Sequence, residues 1–190
     1  MLKKVILISI FLLLISCRQS SRNKNDNKVH LRSKNTIEFY INKQANILSE
    51  TVIRETFQKW GDATHFTFVY KGRNRAGLHK DGKNTVSFLL RWPKEIPINK
   101  IGYCKNWYDS DGTIIESDII LNMQISNFTT MRTNKPNAYY VEGVVAHEIG
   151  HMLGLGHINK PASIMKKKSS PKESYHKSRI DAHTLKAYRK

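Results

Sequence analysis

The chain has 190 residues, and 32 Lys and Arg against 15 Asp and Glu give it a formal net charge of +17. Its two cysteines, Cys17 and Cys104, exclude a scaffold built on several disulfides. The positive charge suits anionic surfaces, acidic polypeptides or nucleic acid. No nucleic-acid module and no interleaving of basic with aromatic residues accompanies it, so nucleic acid is excluded as a partner; a plainly solvated basic surface is the alternative.

Residues 1–16 read as a targeting segment. Lys3 and Lys4 supply a positive start, and Val5 to Ile15 is an apolar run too short to span a bilayer. Leu14-Ile15-Ser16-Cys17 then resembles a bacterial lipoprotein signal, which implies cleavage before Cys17 and a lipid on that cysteine. A simple secretory signal followed by a chance cysteine is the other reading. Two acyl chains would anchor the protein stably to a membrane of the bacterial cell envelope, facing the periplasm or the exterior. With Cys17 acylated, Cys104 is the only thiol left and no intrachain disulfide forms. Residues 17–35 are polar and basic and read as a flexible tether. Asp26, its only acidic residue, is a solvated side chain or an occupant of the metal site described below.

From residue 36 to 190 the pattern becomes that of one folded domain. Ile37, Phe39 and Ile41 alternate with polar neighbours as in a half-buried strand. Leu48, Val52, Ile53, Phe57 and Trp60 follow helical spacing, with Gly61 placed as a helix stop. Phe66, Phe68 and Tyr70 predict a second strand, and Val86, Phe88 and Leu90 a third, across a Gly- and Lys-rich loop at 71–84. Pro93 and Pro97 make 92–102 irregular. The oxygens of Asp109-Ser110-Asp111-Gly112 suit calcium, but the glutamate that closes a calcium loop is missing, and an ordinary Asp-Gly turn is the competing reading.

Val141, Val145, Ile149 and Met152 predict the buried back of a second helix. Its opposite side carries His147-Glu148-Ile149-Gly150-His151-Met152-Leu153-Gly154-Leu155-Gly156-His157, the extended H-E-x-x-H-x-x-G-x-x-H pattern. His147 and His151, four residues apart, lie on one helix face. Glu148 is turned about 100° away from His147, beside a metal rather than on it. Gly154 ends the helix and lets the chain return with His157. Three ligands leave one position open, which is the catalytic arrangement of zinc. An amphipathic helix with satisfied histidines is the bland alternative, weakened by Gly154 and His157 at their fixed offsets. The last segment, with Ile180, Leu185 and Tyr188, predicts a short closing helix, so the order of elements gives an α+β class: a twisted mixed sheet with two long helices, a cleft, and a small C-terminal subdomain.

Together, the histidine motif and Met165 in Ala162-Ser163-Ile164-Met165 resemble the metzincin zinc proteases, and within them the matrixin branch. Phe57 to Phe68, Glu116 to Asn122 and Asp181 to Tyr188 add weaker similarity, so that the resemblance extends over about residues 36 to 188. It implies a Met-turn at Met165 beneath the histidines. It also implies a substrate-binding edge strand at Ile119, Ile120 and Leu121, and a specificity-pocket wall at Lys166, Lys167 and Lys168. A solvated loop is the alternative for the lysines. The chain departs from the family at Ile158, where matrixins carry serine, and at Lys167, where other branches carry tyrosine. The propeptide cysteine has no counterpart, and His79 and Asp81 lack a further histidine to complete a second zinc site. The expected activity is zinc-dependent cleavage of internal peptide bonds by a monomer, with a protein or peptide as substrate, one catalytic Zn2+, and Glu148 as general base. A lipid-anchored binding protein that keeps the fold without catalysis is the rival; it would have no chemical need for Glu148.

Overall fold

The computed structural model describes residues 34–131, 137–168, 170–176 and 179–189. Cys17, Asp26, the leader and nearly all of the tether lie outside these residues.

The domain begins with β1 (Thr36–Asn42), where Ile37, Phe39 and Ile41 are buried as their alternation predicts. Helix α1 (Ile47–Ala63) follows, opened by the Asn46 side chain, which accepts the Ser49 N–H. Its buried stripe is Ser49, Ile53, Thr56, Phe57 and Trp60. Leu48 falls one position off that stripe and is exposed, against the sequence expectation. Gly61 is not the helix stop either. The helix runs two residues further, and Gly61 instead permits close packing, since a Cβ there would stand 3.3 Å from the Phe66 carbonyl oxygen.

Strands β2 (Thr67–Asn74) and β3 (Asn84–Leu89) pair in parallel on either side of β1. β2 therefore claims the first part of the expected loop, and Leu90 lies beyond the end of β3 and points to solvent. The hairpin β4 (Gly102–Tyr108) and β5 (Ile114–Asn122) completes a five-stranded mixed sheet ordered β2-β1-β3-β5-β4. Asp109-Ser110-Asp111-Gly112 forms the hairpin turn. The Asp109 carboxylate accepts the N–H groups of Asp111 and Thr113, and Gly112 takes a positive φ of 80°.

Helix α2 (Val141–Met152) packs its Val141, Val145, Ile149 and Met152 face, all at most 1 % exposed, into the core. Trp60 of α1 donates its indole N–H to the Ala146 carbonyl at 3.0 Å, which fixes the two helices against each other. Burial of these aliphatic and aromatic side chains stabilises by about 1.5–3 kcal/mol each relative to exposure. A short parallel pair, β6 (Asn127–Thr129) and β7 (Ala138–Tyr140), precedes α2. Helices α3 (Pro171–His176) and α4 (Ala182–Tyr188) form the C-terminal part. Asp181 caps α4 and also accepts the Ile164 N–H at 2.8 Å, tying this end to the loop under the histidines.

Candidate metal centre and cleft

His147 and His151 project from the same face of α2 one turn apart. After Met152 the helix closes through the Gly154 N–H to the His151 carbonyl and the Leu155 N–H to the Gly150 carbonyl, both 2.9 Å. Gly154 takes φ 90°, a conformation an L side chain would strain. This reversal returns His157 to the other two histidines, and one ring nitrogen from each lies within 4.8 Å of the others.

The ring orientations are set by hydrogen bonds. His147 Nδ1–H donates to the Ile164 carbonyl at 2.6 Å, and His151 Nδ1–H donates to the Leu155 carbonyl at 2.8 Å. A carbonyl only accepts, so the proton sits on Nδ1 and the Nε2 lone pairs turn inward. Burial above all pushes the His151 pKa down to about 4 and lowers that of His157, which keeps both rings neutral. The His151 Nε2 atom lies 3.1 Å from that of His147 and 3.3 Å from that of His157. Converging lone pairs at this spacing repel each other unless a cation lies among them. A tetrahedral zinc at about 2.0–2.1 Å from each nitrogen would set them roughly 3.3–3.4 Å apart. The donor set therefore fits zinc.

Glu148 points off the histidine face toward β4. It is 5 % exposed, its carboxylate accepts the Cys104 N–H, and burial pushes its pKa up to about 8. The absence of a side chain at Gly102 makes its position available: a Cβ there would lie 2.7 Å from Glu148 Oε1 and 2.9 Å from Val144 Cγ1. Met165 is fully buried below α2, so close to Gly150 that a Cβ on that glycine would stand 2.2 Å from its sulfur. The Ile158 N–H donates to the Met165 carbonyl at 2.9 Å, closing the loop that holds both His157 and Met165.

His147, Glu148, His151 and His157 line a cleft of about 890 Å3 bordered by β4 on one side and by parts of the chain between Gly154 and Lys168 on another. Here the expected edge strand needs correction. Ile119, Ile120 and Leu121 lie on β5, which pairs with β3 in parallel and with β4 in antiparallel fashion, and all three are completely buried. The open edge is β4, and Gly102, Tyr103 and Cys104 line the cleft. Asn106 of the same strand donates its side-chain N–H to the His151 carbonyl at 2.8 Å, bracing the end of α2. Sequence reasoning missed β4, although its Tyr- and Trp-containing run directly before an Asp-Gly turn carries a hairpin signal.

His79 and Asp81 stand 3.8 Å apart in the loop before β3. The loop is latched by carboxylates of β5. Glu116 accepts the N–H groups of Asp81 and Gly82, and Asp118 accepts those of His79 and Thr85.

The fold and the site define an α+β domain carrying a three-histidine metal centre with an adjacent buried carboxylate. The family model Matrixin (Peptidase_M10) matches residues 105–188. That stretch contains β5, all three histidines, Glu148 and Met165, and it supports a metallopeptidase with zinc as its cofactor. No curated protein matches the chain.

Proposed function

We propose that this protein is a zinc-dependent endopeptidase that hydrolyses internal peptide bonds of proteins. The observation that carries the reading is the convergence of one ring nitrogen from each of three histidines beside a buried carboxylate in an open cleft. His147, His151 and His157 would hold the zinc. Zinc bound there supplies a Lewis acid, lowering the pKa of a water from about 15.7 toward about 7 and polarising a carbonyl. Glu148 accepts the proton of the attacking water and passes it to the leaving amine. Its raised pKa in the metal-free protein favours the protonated form, and a cation at the histidines shifts it back toward the ionised base. Cys104 N–H and the space at Gly102 hold that carboxylate in place. The exposed side of β4 can pair with an extended substrate main chain, which suits polypeptides rather than small amides.

At the N-terminus, lipid on Cys17 and a tether to residue 35 would place the domain as a monomer at a membrane of the bacterial cell envelope. Among the described residues no helix is long and apolar enough to cross a membrane.

The test is incubation of purified protein with a peptide library in 18O-labelled water, read by mass spectrometry with and without a chelator. New labelled carboxyl termini that disappear on chelation and return with zinc are expected. Intact peptides at full zinc loading would refute the reading.

A further inference from the structure

Charge is distributed unevenly around the cleft. Its lining includes Lys100, Lys166, Lys167 and Lys168, whereas Glu148 is its one acidic side chain. Glu148 is buried against β4 and assigned to the chemistry. Of the lysines, Lys166 is already paired, its ammonium 2.8 Å from Glu173 of α3. Lys100, Lys167 and Lys168 have no carboxylate partner among the described residues. Lys100 precedes β4, and Lys167 and Lys168 follow Met165, so the cations come from two separate stretches of the cleft wall. Both stretches line the same cleft as His147, His151 and His157.

We infer that the cleft selects acidic polypeptide segments, with Lys100 and Lys167 receiving Asp or Glu side chains that flank the scissile bond. The inference rests on the peptidase reading and names its substrate class. Like charges placed together in a concave wall repel one another and a bound cation, and a substrate carboxylate relieves that repulsion. A basic side chain at the same place adds to it, so the wall rejects Lys- and Arg-rich segments as it accepts acidic ones. Lys168, the next residue in the chain and also in the cleft lining, contributes to steering. Exposed pairs are individually weak, so two together amount to roughly a two- to thirtyfold preference.

The experiment has a binding arm and a turnover arm. Zinc-loaded Glu148→Gln protein is titrated against fluorescent peptides that differ only in carrying Glu, Gln or Lys around a fixed apolar centre, at low and high salt. The Glu peptide should bind most tightly, the preference should shrink as salt rises, and Lys100→Gln/Lys167→Gln should abolish it. Lys80→Gln/Lys186→Gln removes the same net charge outside the cleft lining and should leave it intact. Equal binding of the three peptides, or equal loss in both double variants, overturns the inference. In the turnover arm, wild-type protein should discriminate the same peptides through KM. Cleavage of all three with equal kcat/KM sinks the acidic selectivity and leaves the peptidase standing. Acid-selective binding without cleavage of any peptide sinks the peptidase and leaves the recognition site standing.

Discussion

A single methyl group separates Gly102 from an impossible neighbour. Any side chain there would enter the space of Glu148 Oε1 and Val144 Cγ1, so Gly102→Ala should push the carboxylate off its Cys104 N–H contact. The atoms nearest to a Cβ there belong to Glu148 and Val144 rather than to a histidine, so metal binding should persist. A displacement of about 1 Å at a reacting group costs on the order of 100-fold in rate. The expected outcome is a kcat lowered at least ~10-fold with KM changed far less and zinc content unaltered. Unchanged kcat would show that Glu148 does not depend on β4 for its position. This part of the site was not legible in the sequence. His147, Glu148, His151, Gly154 and His157 sit on consecutive turns of one segment, where spacing alone fixes geometry. Gly102 and Cys104 reach Glu148 only through tertiary packing.

At the scale of elements, strand order is what sequence reading got wrong. Ile119, Ile120 and Leu121 are consecutive apolar residues, and such a run belongs to a strand covered on both faces and flanked by partners. Strand β4 has one partner strand and only half-buried or exposed residues, as befits an edge. Period marked β1 and α1 because each has one clear buried face, whereas α2 is buried on nearly every side, and α1 runs past Gly61 to Ala63. Helix α3 had no periodic signal and is held by Lys166–Glu173 and by the Tyr140 N–H donating to Ser174.

The latch between β5 and the loop before β3 carries a pH dependence. Burial, only partly offset by the N–H groups of Thr85 and His79, pushes the Asp118 pKa up from 3.8 to about 7. The folded protein therefore binds more protons at this site than the unfolded chain between about pH 4 and pH 7. Stability from this group falls as pH rises through that window. Thermal unfolding of the metal-free protein should show a more positive slope of Tm against pH in Asp118→Asn than in the wild type across it. Parallel slopes would mean that Asp118 titrates normally in the fold.

For the whole molecule, the basic surface and the metal centre serve different ends. Net charge of +17 governs encounter with anionic partners, while the histidines and Glu148 govern chemistry. Their separation leads to the most direct measurement of the central claim: zinc content and peptide turnover determined on the same samples of wild type and Glu148→Gln. One zinc per chain in both proteins, with turnover in the variant down by at least ~100-fold, is the predicted result. Turnover within a few-fold of wild type at equal zinc, or no zinc in either protein, would contradict it.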